Sequence, residues 1–185
     1  YDFGQRIFGE NKIQEMADKH QQMPKDIQWH MIGNVQRNKV KYMASFVDLI
    51  HGVDSEKLLK EINKQAEKHQ RTINCLLQLK IAQEDTKFGM TEATAHDLLN
   101  SDQFKNLKNI AIVGVMGMAS FTDNTSQIKE EFTTLKTIFD RLKKINSKLE
   151  IISMGMSGDY PLAIDCGSTM VRVGSSIFGA RNYAI

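Results

Sequence analysis

Short apolar runs alternate along this chain with longer stretches in which apolar residues recur at helical spacing. Strands are predicted at Gln5–Gly9, Ile27–Ile32, Phe46–Val53, Ile73–Ala82, Ile110–Ala119, Ile151–Met156 and Met170–Val173. Between them, Lys12–Met23 spaces Ile13, Met16 and Ala17 as a helix that Pro24 stops. Val35–Ala44 reads as a second helix. A third opens at Asp54-Ser55, with Asp54 as the expected N-cap, and runs to about His69 on a stripe of Leu58, Leu59, Ile62 and Ala66. A polar loop at Gln83–Gly89 leads to a helix from Thr91 through Leu99. Ser126–Lys144 is the longest helix, and Tyr160–Cys166 a short one closed by Gly167.

Ile73–Ala82 and Ile110–Ala119 are nearly continuous in apolar residues, as parallel strands buried on both faces are. Strands that alternate with helices, with no hairpin signal, imply crossover connections and a parallel sheet. Two closures compete, an open doubly wound sheet and a (β/α) barrel. No GxGxxG follows the first strand, which lowers the dinucleotide-binding option.

The candidate chemistry lies in Glu150–Ala180. Both strands there end in small residues, Gly155-Met156-Ser157-Gly158 and Gly174-Ser175-Ser176. Such turns let backbone N–H groups approach an anion, and barrels use the loops after the last two strands for phosphate. Each turn alone is also an ordinary tight turn. Arg172 lies between them, flanked by Val171 and Val173 inside a strand, which favours an inward role over a surface ion pair.

The 185 residues suit one domain spanning 1–185, and the hydrophobic fraction of 41% is enough for a substantial core. A net charge of +2, with basic residues mixed among acidic ones, argues against a nucleic-acid partner. No apolar run is long enough to span a membrane. Cys75 and Cys166 have no metal-ligand spacing and suit buried positions in a reducing cytoplasm. No metal site is expected.

The segments FGENKIQE (Phe8–Glu15), WHMIGNVQRNKVK (Trp29–Lys41), VDS (Val53–Ser55), EDTKFGM (Glu84–Met90), GVMGMA (Gly114–Ala119), SMGMSGDYPLAI (Ser153–Ile164) and GSTMVRVGSSIFGAR (Gly167–Arg181) resemble the pyridoxal phosphate homeostasis proteins. These are relatives of the N-terminal barrel of alanine racemase. The resemblance implies a (β/α)8 TIM-type barrel that binds pyridoxal 5′-phosphate (PLP), with the visible strands as strands two to eight. The lysine that forms the Schiff base with PLP is then expected upstream of Tyr1, in a first strand missing from this chain.

The resemblance also implies roles. Ser153, Gly174 and Ser175 become phosphate contacts, with Met154, Gly155 and Ser176 as second choices in the same turns. Arg172 faces the pyridine nitrogen, which a neighbouring cation keeps unprotonated. Asn11, just after the first strand, is expected near the ring, with helix capping as the alternative. His30 is expected to pack on the ring or bond a neighbour. Lys80, within the fourth predicted strand, reads as a lysine reaching to a carboxylate or to the barrel mouth, with substitution for the upstream lysine as the remote alternative. Lys39 and Lys87 read as surface charges, and the pairs Met154–Met156 and Met116–Met118 as core filling.

The function so implied is PLP homeostasis: holding PLP or delivering it to PLP-dependent apoenzymes, without strong catalysis. A cytoplasmic monomer is expected. A PLP-dependent amino-acid racemase is the alternative. A phosphosugar enzyme is a third class, for which only Glu10 stands at a strand end as a base.

Overall fold

The computed structural model describes residues 1–83 and 88–179. Lys87, with Glu84–Thr86 of the EDTKFGM segment and Ala180–Arg181 of the last one, lies outside the described residues.

The strands are β1 (Ile7–Glu10), β2 (Gln28–Met31), β3 (Leu49–Val53), β4 (Ile73–Gln78), β5 (Ile110–Met116), β6 (Ile151–Met156) and β7 (Met170–Arg172). They form one sheet in sequential order, and every neighbouring pair is parallel. A doubly wound sheet reverses its strand order at a switch point, and this one does not. The sheet is also rolled. In a flat sheet β3 and β6 would lie ~14 Å apart, three inter-strand spacings. Yet His51 of β3 and Ser153 of β6 touch at 2.9 Å. The seven strands are the wall of a TIM-type barrel, open between β7 and β1 among the described residues.

The helices are α1 (Ile13–Gln22), α2 (Glu56–Lys68), α3 (Glu92–Asn100), α4 (Asp102–Lys105), α5 (Thr125–Lys143), α6 (Tyr160–Asp165) and α7 (Ser175–Phe178). The apolar stripes of α1, α2, α3 and α5 pack on the outer face of the wall, where Trp29, Met31, Ile50, Leu77, Ile152 and Met154 meet Leu59, Ile62, Phe132, Leu135 and Phe139. A smaller cluster fills the inside: Leu49, Leu76 and Met116, with Val113, Met118, Ile151 and Met170 against it. Burial on both faces explains why β4 and β5 read as nearly continuous apolar runs.

Several sequence expectations need correction. Val35–Ala44 contains a 3-10 helix, Arg37–Tyr42, in place of an α-helix. Ser55, not Asp54, caps α2, its side chain accepting from the Leu58 N–H. The fourth strand ends at Gln78 and the fifth at Met116, because the chain turns at the barrel rim while its apolar residues continue. Met156 is exposed, so only Met154 of that pair fills the core. Cys75 is buried, which pushes its thiol pKa up, and Cys166 is half-buried.

Candidate functional site

The carboxyl ends of β6 and β7 are fastened together before any ligand is considered. β7 has only three residues. Its pairing is reinforced by Ser168, whose hydroxyl lies within hydrogen-bond distance of the Ile152, Met154 and Met170 carbonyls. The Thr169 hydroxyl accepts from the Ile152 N–H at 2.8 Å.

The two small-residue turns consequently lie side by side. The Ser157 hydroxyl accepts from the Gly174 N–H at 3.1 Å and from the Ser176 N–H at 3.4 Å. Two backbone donors from the second turn thus converge on one oxygen of the first. Asp159 closes the first turn by accepting from the Met156 N–H. A Cβ built on Gly174 meets nothing within 4 Å, so the space over this turn is open. Ser157 carries the link between the turns, and sequence reasoning placed it in the first turn without giving it a role. Ser175 and Ser176 are exposed at the start of α7.

Gly155 is a glycine for packing reasons. Its φ is +94°, and a Cβ there would sit 2.6 Å from the Ala163 Cβ of α6. The Met154 side chain is fully buried in the outer core. Any contact from either residue to a ligand would have to come through backbone.

Arg172 turns into the barrel. Its Nη1 donates to the Ser153 carbonyl at 2.9 Å and to the Ser153 hydroxyl at 2.7 Å, and its Nη2 donates to the Gly117 carbonyl at 3.3 Å. Among the described residues this leaves Nε–H and one Nη2 N–H for another acceptor. All three oxygens are neutral. Burial lowers the guanidinium pKa to about 10, against the opposing field of Asp159. A desolvated cation without a carboxylate partner favours an anionic or acceptor-bearing ligand.

Ser153 is fully buried, and its hydroxyl faces Arg172 and His51 instead of the turns. His51 Nδ1 lies 2.9 Å from the Ser153 Oγ, and His51 Nε2 lies 3.2 Å from His30 Nδ1. His30 Nε2 points to the Asp48 carboxylate at 3.7 Å. Asp48 sits just before β3, and the His30 hydrogen bond is the main cause holding its carboxyl below the usual range. His30 therefore bonds a neighbour, as one of its two expected roles required. His51 was missed. Its signal was available: in LIHGV it shares a strand face with Leu49, which points inward.

Asn11 is exposed just past β1. Lys12 occupies the N-cap of α1 with no side-chain bond, so capping is not the role of Asn11. Its carbonyl oxygen would lie 2.2 Å from a Cβ on Gly33, so the ends of β1 and β2 meet closely at the rim. Lys80 is exposed beyond β4, its backbone N–H bonded to the Met90 carbonyl. The inward residue at that strand end is Gln78, which donates to the Phe88 carbonyl at 3.0 Å. Glu10 pairs with Lys19, which weakens its candidacy as a free base. No grouping of three or more ligating side chains that could hold a metal occurs among the described residues.

Comparison with known proteins agrees with this architecture. The alanine racemase, N-terminal domain family matches residues 1–182. The pyridoxal phosphate homeostasis protein of Pasteurella multocida is 36% identical over 189 residues, covering 100% of this chain and 80% of that protein. The structure of PipY from Synechococcus elongatus, with PLP bound, aligns with a TM-score of 0.85 at 32% identity, covering 97% of this chain and 84% of that one. Alanine racemase from Clostridium difficile aligns at 0.79 with 13% identity, over 99% of this chain and 50% of that one, which speaks to the fold alone. A sequential parallel barrel wall, a match over nearly its whole length and this degree of identity make the chain a member of the pyridoxal phosphate homeostasis protein family.

Proposed function

We propose that this chain binds pyridoxal 5′-phosphate and serves PLP homeostasis, holding or delivering the cofactor without strong catalysis of its own. The observation that carries the reading is the Ser157 oxygen at the focus of the Gly174 and Ser176 N–H groups, just beyond the desolvated Arg172 at the end of β7. An oxygen already sits where donors converge, so a phosphate oxygen can take its place with the same donors. The donor set therefore fits the phosphate group, and the open space over Gly174 leaves room for it.

In this reading Gly174, Ser175, Ser176 and Ser157 hold the phosphate. Arg172 offers its remaining N–H groups to the ring nitrogen, and Ser153 steadies Arg172 from behind. Asn11 stands at the rim. PLP supplies an aldehyde on an electron-withdrawing ring when bound. A guanidinium at the ring nitrogen disfavours its protonation, because two cations would be adjacent. That damps the ring as an electron sink, so carbanion chemistry there would need additional help. The names of the family's members and the PLP in PipY support the same reading. PLP-dependent apoenzymes are then the receivers, in the cytoplasm, with a monomer as the working unit. No helix among the described residues is long and apolar enough to cross a membrane.

Equilibrium dialysis of the protein against PLP, pyridoxal and inorganic phosphate tests it. PLP should bind, pyridoxal should bind about tenfold or more weakly for want of its charge-assisted bonds, and phosphate should compete. Equal retention of PLP and pyridoxal would overturn the phosphate assignment. Rapid formation of D-alanine from L-alanine would replace the holder with a racemase.

A further inference from the structure

The polar groups inside the barrel form a chain whose protons run in one direction. Arg172 has donors and no acceptor. The Ser153 hydroxyl therefore receives from Arg172, and the proton of that hydroxyl must go elsewhere. Its other partner is His51 Nδ1 at 2.9 Å. With Nδ1 of His51 as the acceptor, bare of hydrogen, the Ser153 hydroxyl proton finds a partner among the residues present. Desolvation, together with the charge of Arg172, holds the His51 pKa well below its ordinary value, so the ring is neutral. A neutral ring with a bare Nδ1 carries its hydrogen on Nε2. That hydrogen points at His30 Nδ1 at 3.2 Å, which must accept it. His30 then carries hydrogen on Nε2, the atom facing Asp48. Each group fixes the tautomer of the next.

We propose that His51 is a positioning residue: by accepting the Ser153 proton across the barrel, it fixes the Ser153 oxygen as the acceptor that aims Arg172 at the ligand. The geometry leaves Ser153 no equivalent substitute. Its carbonyl takes the other hydrogen of Arg172 Nη1 and also accepts from the Gly117 N–H. Without the imidazole, the hydroxyl proton competes with the guanidinium for the same surroundings. Ser153 lies on β6 next to β7, whereas His51 lies three strands away on β3. The orientation of Arg172 is therefore tied to the far wall of the barrel. The consequence for PLP rests on the function proposed above, whereas the tautomer and the order of Arg172 do not.

Nitrogen-15 NMR of the full chain with labelled histidine and arginine tests the inference without any ligand. His51 should show a protonated Nε2 and a bare Nδ1 throughout pH 6–8, and Arg172 should give a resolved, slowly exchanging guanidinium signal. His51→Asn keeps an acceptor oxygen near the Nδ1 position and should retain that signal, whereas His51→Leu should broaden it. In PLP binding, His51→Leu should weaken affinity about tenfold, and His51→Asn should recover most of it. In an Arg172→Ala background, His51→Leu should cost nothing further, because its effect passes through Arg172. A hydrogen on His51 Nδ1, an imidazolium at pH 7, or unchanged Arg172 order in His51→Leu would overturn the proposal. If His51→Leu fails to fold, the tautomer in the wild-type chain and the Asn variant still decide it. If the wild type binds no PLP, the cofactor reading fails, and the NMR signals judge the positioning role alone.

Discussion

The Ser157 hydroxyl receives the Gly174 N–H at 3.1 Å, and this bond joins the ends of two strands whose turns are separated by seventeen positions in sequence. It occupies the point at which a phosphate oxygen is expected. Ligand binding then exchanges one acceptor for another and leaves no backbone donor without a partner on either side of the equilibrium.

Gly174→Asp follows from that relationship. The residue has φ −128° and open space at its Cβ, so a side chain is tolerated. A carboxylate at the focus repels phosphate and competes for its donors. PLP affinity should fall roughly 10–100-fold, the equivalent of about 1.5–3 kcal/mol for charge-assisted hydrogen bonds. Pyridoxal affinity and the melting temperature should stay near wild type. Calorimetric titration with both ligands checks this, and parallel losses for PLP and pyridoxal would count against it.

Gly155→Ala should damage the fold first. It forces a side chain into a positive φ and into Ala163 of α6. The backbone conformation alone costs about 1–2 kcal/mol, and the clash adds to it. Urea unfolding should show the loss in wild-type buffer without any ligand.

Glu131 of α5 is a buried carboxylate that fastens two rim loops. It accepts from the Ser120 N–H and hydroxyl and from the Gln83 N–H. Desolvation pushes its pKa up, but the hydrogen bonds from Ser120, Gln83 and Gln127 outweigh it, and the net shift is downward. The folded-state pKa therefore lies below the unfolded one, ~4.3. Its stabilisation is complete above the unfolded value and is lost as pH falls through the folded one. Glu131→Gln should lower stability at pH 7 by about 1.5–3 kcal/mol. The gap to wild type should narrow at pH 3, as urea unfolding at the two values would reveal.

Ser55→Ala should destabilise by about 1 kcal/mol through loss of the α2 cap. Asp54→Ala should stay within about 0.5 kcal/mol, as surface substitutions do. Thermal unfolding of the pair separates the two, and a larger loss at Asp54 would restore the cap expected from sequence.

Helices and strands were legible wherever one periodicity dominated. Ile128, Phe132, Leu135, Ile138, Phe139 and Leu142 announce α5, and all are buried. Boundaries failed at the barrel rim. Ile81 and Ala82 are buried like strand residues, although β4 has already ended at Gln78. Burial without a ladder partner looks the same in sequence as burial within one. Asp54 and Ser55 are both good caps by residue type, and only backbone geometry selects Ser55.

Of the candidate site, the two small-residue turns and the inward Arg172 were readable, since both lie within one contiguous stretch. The family resemblance supplied their order of importance. His51 was not readable as part of the site, because its partner Ser153 lies 102 positions away. A polar residue on an inner strand face has no visible partner until the strands are placed around a common axis.

What sequence determined by itself was the alternation of strand and helix, the two-sided burial of β4 and β5, and the small residues and arginine gathered at the last two strand ends. These follow from local periodicity and from residues that are neighbours along the chain. Tertiary structure decided the rolling of the sheet, the bond that joins the turns through Ser157, and the internal line from Arg172 to Asp48. Such contacts depend on distances between strands remote in sequence, and curvature of the whole wall sets those distances.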